Sequence, residues 1–234
     1  SEGLPVDFYL MAPSCVPATH LETSGANLAA EDLAALRAER RILGLAEMMN
    51  FPGVIYKDPA VLAKLAAFHG AIVDGHAPLL SGKDLNAYVG AGIRSDHECT
   101  QLAEAREKLR LGMQIMIREG TQAKNLAALV PLVNAATLRQ CCLVTDDLHP
   151  HDILRHGHLD VVMSLAIEMG LPPLWAVAMV TLNTARYFSL PDRGAVAPGY
   201  RADLALLSSL DPVRVSHVFK DGRHAVDKGE LAID

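Results

Sequence analysis

Ala-Ile-Val-Asp-Gly-His-Ala-Pro, residues 71–78, decides how the rest of the chain is read. A short apolar run with a β-branched centre ends at Gly75, and His76 follows at once. β-branched residues suit a strand and glycine punctuates its end. The residues before it, 59–69, open on Pro59 and carry apolar side chains at helical spacing. Working outward, the same order of helix, strand and polar residue recurs. Residues 43–48 read as a strand carrying Glu47, and residues 91–95 as a strand followed by His97. Residues 114–118 form a further strand, and residues 140–145 another, followed by Asp146. Residues 6–12 are a short apolar run ended by Pro13. Helical spacing is expected over 33–45, 82–90, 102–111, 124–135, 158–170 and 174–188.

Repeated strand–helix alternation means a parallel sheet with right-handed crossovers. Six such units precede residue 150, too few to close the usual barrel of eight. Either the first two strands are absent or the sheet is open. After Asp192 the pattern changes: Gly194, Pro198 and Gly199 punctuate it, residues 202–207 and 215–219 alternate like strands, and Asp221-Gly222 signals a hairpin. This tail is a small β segment.

The chain has 234 residues, half of them hydrophobic and 21% charged, enough for one large domain or two small ones. A net charge of −6 without a basic run argues against nucleic acid or an anionic membrane as partner, and 5% aromatics argues against a stacking surface for single strands. No apolar run approaches the ~18 residues of a membrane span, and residues 1–10 do not read as a signal peptide. Cys15, Cys99, Cys141 and Cys142 lack metal-type spacing and read as free thiols in a reducing cytoplasm.

Glu47, His76, His97 and Asp146 each stand at or just past the C-terminal end of an expected strand. In a parallel barrel those ends share one rim, so the four side chains can converge. Two imidazoles and two carboxylates suit Zn²⁺, Mn²⁺ or Fe²⁺ better than Ca²⁺ or Mg²⁺. Such a site lowers the pKa of water, and a carboxylate must then carry the proton. Asp146 and Glu98 are the candidates for that task. Single residues of this kind often serve as helix caps, and Asp146 could cap the helix after it. The cluster His149, His151, His156 and His158 reads as a solvated loop, with His149 the one expected to face the site. Arg106, Lys108 and Arg110 read as a solvated helix face.

At these motifs the sequence resembles the bacterial adenine deaminases of the amidohydrolase superfamily. The matching pieces are Met-Ala-Pro-Ser-Cys-Val-Pro (11–17), Gly-Leu-Ala-Glu-Met-Met-Asn (44–50), Asp-Gly-His-Ala-Pro (74–78), Ser-Asp-His-Glu (95–98), Val-Thr-Asp-Asp-Leu-His-Pro (144–150), Thr-Leu-Asn-Thr-Ala (181–185) and Gly-Ala-Val-Ala-Pro-Gly-Tyr-Arg-Ala-Asp (194–203). They run in the family's order along nearly the whole chain.

The resemblance implies an α/β fold: a partial TIM-type (β/α)₈ barrel, strands three to eight, over residues 1–190, with a β-sandwich tail over 191–234. It implies hydrolytic deamination of adenine to hypoxanthine and ammonia, a metal-activated hydroxide attacking C6. Glu47 is then the carboxylate bridging a metal pair, often manganese or iron; His76 and His97 are ligands, and Asp146 is ligand and proton shuttle. Glu98 becomes the donor to the ring nitrogen, and Asp147 and His149 contact substrate. The family's His-x-His pair on the first barrel strand has no counterpart at that position, so two strands and two ligands are expected to come from a partner chain or a second copy. The alternatives are a related amidohydrolase acting on another cyclic amidine or amide, and an inactive fragment of the fold.

Overall fold

A computed structural model describes residues 4–19 and 21–232. The outermost residues of both expected domains, 1–3 and 233–234, and part of the stretch read for a signal peptide, lie outside the described residues. The chain divides into two compact units, Phe8–Ile115 and a second made of Met116–Asp234 with Ser1–Asp7.

In the unit Phe8–Ile115, strands and helices alternate as β1 (Leu10–Ala12), α1 (Ala30–Leu36), β2 (Ile42–Met48), α2 (Phe51–Ile55), α3 (Pro59–Ala67), β3 (Ile72–Gly75), α4 (Gly82–Gly90), β4 (Ser95–Asp96) and α5 (Leu102–Arg110). It ends in the first residues of β5 (Gln114–Arg118). β2 pairs in parallel with β1 on one side and β3 on the other, and β4 pairs in parallel with the start of β5. The strand ends come very close. A Cβ on Gly75 would stand 2.1 Å from the Ser95 carbonyl oxygen, and one on Gly44 equally near that of Ile72, so only glycine fits at either position. One buried cluster, including Leu45, Leu65, Phe68, Val73, Leu85, Tyr88 and Ile93, fills the space between helices and sheet.

The helix expected over 33–45 is shorter. α1 stops at Leu36, and residues 42–48 are strand. Leu33 is the buried residue of α1, whereas β2 gains parallel neighbours on both edges, so sheet pairing overrides the helical spacing of Leu36, Arg40 and Leu43.

In the second unit the rest of β5 runs beside β6 (Cys141–Val144), with the Glu119 N–H donating to the Val144 carbonyl at 3.1 Å. The helix expected over 124–135 contracts to α6 (Leu126–Leu129) and one 3₁₀ turn, because Pro131 offers no N–H to continue it. The histidine-rich segment, expected as a loop, forms α7 (Pro150–His156). Pro150 starts it with a preset φ, and Gly157 at φ 113° stops it. α8 (Leu159–Glu168) follows, and the expected helix over 174–188 is broken at Thr181 into α9 (Pro173–Val180) and α10 (Leu182–Tyr187). The tail is a separate antiparallel sheet of β7 (Leu204–Leu210), β8 (Val213–Lys220), β9 (Arg223–Asp227) and β10 (Glu230–Leu231), in sequential order. Asp221 and Gly222, both at positive φ, make the expected two-residue turn between β8 and β9. Among the described residues no helix is long and apolar enough to cross a membrane.

Candidate metal centre

Glu47, His76 and His97 come together in the unit Phe8–Ile115. Leu45 and Met48 turn into the core on either side of Glu47, and the β2–β3 ladder is irregular between Leu45 and Met48. One carboxylate oxygen, Glu47 Oε2, lies 2.9 Å from His76 Nδ1 and 3.0 Å from His97 Nε2. Glu98 Oε1 stands 3.5 and 3.6 Å from the same two nitrogens. The imidazoles meet edge to face with centroids 5.2 Å apart. Hydrogen bonds from His76 first and then His97 hold the Glu47 carboxyl far below the usual carboxylate range, against the opposing effect of burial.

These residues fit a divalent ion. Ligands bound at about 2.1 Å and at right angles stand about 3.0 Å from each other, which is the spacing of the Glu47 oxygen from each imidazole nitrogen. The donors are imidazole and carboxylate, the borderline set that suits Mn²⁺, Fe²⁺ and Zn²⁺.

The histidine-bearing loops are pinned from behind by groups the sequence reading missed. Tyr88 on α4 is buried; its hydroxyl donates to the Met48 carbonyl at 2.8 Å and accepts from the His76 N–H at 3.0 Å. Burial pushes the phenol pKa well above its usual value. Asp96, fully buried, accepts from the Ala77 N–H at 2.8 Å, the Glu98 N–H at 3.2 Å and Cys99 Sγ at 3.1 Å. Lys108 does not lie on a solvated face. It is fully buried, and its Nζ donates to Ala77 O at 2.7 Å, Asp96 Oδ2 at 3.1 Å and Glu104 Oε1 at 2.7 Å. Glu104 in turn accepts from the Leu79 and Thr100 N–H groups. Ala105 and Leu109 beside it are buried too, so α5 presents Lys108 to the interior along its apolar stripe. The signal in the sequence was the Glu104–Lys108 pair one helical turn apart. Burial raises the Cys99 thiol pKa first of all, which fits a packed thiol.

The other expected site residues belong to the second unit. Asp146 follows β6 at φ 57° and accepts from Arg118 Nη1 at 2.5 Å; Arg118 itself is buried. Asp147 Oδ2 accepts from the Gln122 and Ala123 N–H groups at 3.0 and 3.2 Å, so its carboxylate shapes the turn after β5. His149 is exposed, and its N–H donates to Thr121 Oγ1. His156 and His158 line a cavity of about 350 Å³ with Thr121, Lys124 and Asp152.

A metal-type group of imidazoles and a carboxylate thus stands at strand ends in a strand–helix repeat, which an antiparallel sheet follows along the chain. Residues 1–225 match the family model described as "Amidohydrolase family", and the chain belongs to that family. The family generally uses divalent metals, and Glu47, His76 and His97 are a group able to hold one. The chain is 53% identical over 234 residues to the adenine deaminase of Syntrophobacter fumaroxidans, covering all of this chain and 41% of that protein. It is 52% identical over 231 residues to the adenine deaminase of Desulfatibacillum aliphaticivorans, covering 98% of this chain and 41% of that one. The chain therefore spans about two fifths of the length of these curated relatives. Among solved structures it is similar to enamidase, a member of the amidohydrolase superfamily, with a TM-score of 0.59 at 18% identity over 89% of this chain and 60% of that one. The fold is TIM-barrel-like, with mixed α/β structure and a separate antiparallel sheet.

Proposed function

We propose that this chain is the barrel region of an enzyme that hydrolyses adenine to hypoxanthine and ammonia. The observation that carries the reading is the convergence of Glu47, His76 and His97, in a chain about half identical throughout to adenine deaminases. Glu47, His76 and His97 would hold a divalent ion, Mn²⁺ or Fe²⁺ in preference to Zn²⁺. When bound, the ion supplies a Lewis acid and lowers the pKa of water beside it. Water adds at C6, the neighbouring ring nitrogen takes a proton, and ammonia leaves with a second one. Glu98, within 3.6 Å of both imidazoles, is suited to deliver a proton to the ring. On the strength of the sequence resemblance we assign Asp146 as a further ligand and proton carrier, and Asp147 and His149 to substrate contact.

The same reading takes residues 1–190 as strands three to eight of the barrel and 191–234 as the sandwich tail. Further polypeptide or a second copy of the chain would supply the other strands. Four free cysteines suit a reducing cytoplasm.

The test is ammonia release from adenine, guanine and cytosine by the protein extended to its relatives' full length, with Mn²⁺ or Fe²⁺. Adenine is expected to be turned over, and Glu47→Gln to lower the rate by at least about 100-fold. No release from adenine by the extended protein overturns the proposal.

A further inference from the structure

The tail sheet carries a second group of metal-type side chains, far along the chain from Glu47, His76 and His97. β8 and β9 pair His217 with Asp227 and Phe219 with His224. Between these pairs the register shifts, and β9 holds one residue more than β8. That extra residue resets the alternation of the strand. His224 and Asp227, three apart, therefore share a face, and His217 stands opposite them on the same face. Ala225 is buried at the shift. Without the bulge, residues three apart on a strand would point to opposite faces.

The donors are already oriented. His217 Nδ1 is 2.9 Å from Ser216 Oγ, and its Nε2 is 3.2 Å from Asp227 Oδ1. A hydrogen bond on the far ring nitrogen is how proteins fix a ligating imidazole. Two ligands about 2.05 Å from an ion in tetrahedral geometry lie about 3.3 Å apart, close to the His217–Asp227 spacing. The His224 ring stacks on Phe219, centroids 4.8 Å apart, and on His217 at 5.5 Å. One donor atom from each of His217, His224 and Asp227 lies within 4.8 Å of the others. An ion pair with stacked rings accounts for His217, Asp227 and the His224 ring but not for the His224 Nε2 atom. That nitrogen is buried and has no hydrogen-bond partner, a costly state that binding a metal would relieve.

We infer that His217, His224 and Asp227 form a divalent metal site that cross-links β8 to β9. Two imidazoles and one carboxylate select Zn²⁺, Co²⁺, Ni²⁺ or Cu²⁺ over Ca²⁺ and Mg²⁺, with water completing the coordination. The site does not depend on the deaminase reading.

The test uses the unsubstituted chain and Zn²⁺ alone. Each histidine is modified with diethyl pyrocarbonate, with and without Zn²⁺, and its rate is read from peptide masses. Zn²⁺ at about 10 µM is expected to slow modification of both His217 and His224 by at least about tenfold, reversibly with EDTA. Asp227→Asn, at an exposed position, is expected to raise the Zn²⁺ concentration needed for that protection by about tenfold or more, leaving protection of His76 and His97 unchanged. Equal rates at His217 and His224 with and without Zn²⁺ would overturn the inference. So would protection unaffected by Asp227→Asn.

Discussion

Replacing Lys108 by methionine tests whether the buried network behind β3 and β4 holds the site. Methionine matches the stem and removes the charge. Asp96, fully buried, and Glu104, with a side chain 6% exposed, then face each other without a cation. Their backbone and thiol donors remain, but two carboxylates lose the charge that offsets their desolvation. Breaking a buried pair in this way costs about 3–5 kcal/mol. Burial alone would raise the Asp96 pKa, and Lys108 with the surrounding donors outweighs it, so the net shift is downward. Stability from a depressed carboxylate is present above the unfolded pKa and disappears as pH falls through the folded value. The deficit of Lys108→Met is therefore expected to be larger at neutral pH and to shrink as pH falls into and below the carboxylate range, because protonation relieves the charges that have lost their cation. Urea unfolding at 25 °C across pH reads both quantities. Ala77 is held by Asp96 at its N–H and by Lys108 at its carbonyl, and it adjoins His76; the Glu98 N–H adjoins His97. Divalent-metal affinity at Glu47, His76 and His97 is thus expected to fall about 10–100-fold. A stability loss below about 1 kcal/mol, the level of a surface pair, would refute the energetic reasoning. Unchanged metal affinity in a folded variant would refute the positioning role.

Gly75→Ala drives a methyl into the Ser95 carbonyl and Ile93, and is expected to cost about 3 kcal/mol in the same unfolding assay. Asn183, buried, donates to the Leu138 and Cys141 carbonyls, so Asn183→Ala should cost about 1–3 kcal/mol through unsatisfied acceptors; a change within error would show that water replaces the amide. Burial, with Cys142 alongside, pushes the Cys141 thiol up to about 12, so iodoacetamide at pH 8 should alkylate it only as urea unfolds the chain. Alkylation in native buffer at the rate of a free thiol would contradict that.

The elements legible in the sequence were those with one dominant signal. The expected bounds of α4 and β5 match the structure, and in β5 the β-branched and apolar Ile115, Met116 and Ile117 stand between polar Gln114 and Arg118. The grouping of Glu47, His76 and His97 was legible because the ends of parallel strands lie near one another whatever stands between them in sequence. What escaped depended on tertiary context. Lys108 was assigned to solvent by residue type, and only its place in the packed stripe of α5 reveals its burial. α1 was overextended because helical spacing and strand alternation overlap at Leu43. α7 was hidden because a polar, histidine-rich stretch resembles a loop until Pro150 and Gly157 are taken as its limits. The grouping of His217, His224 and Asp227 depends on a bulge, which shifts the parity that any two-residue rule assumes.

Tyr88 gives the candidate metal centre a mechanical property. The ladder between β2 and β3 is irregular where Glu47 sits, so strand pairing alone leaves the gap between Glu47 and His76 loosely gauged. A single phenol oxygen spans that gap, tied to the Met48 carbonyl on one strand and the His76 N–H at the end of the other. The bite of the ligand set is thereby slaved to the depth at which α4 seats. Repacking under that helix, at Leu85 for instance, would widen or narrow the spacing of Glu47 from His76 without touching either residue.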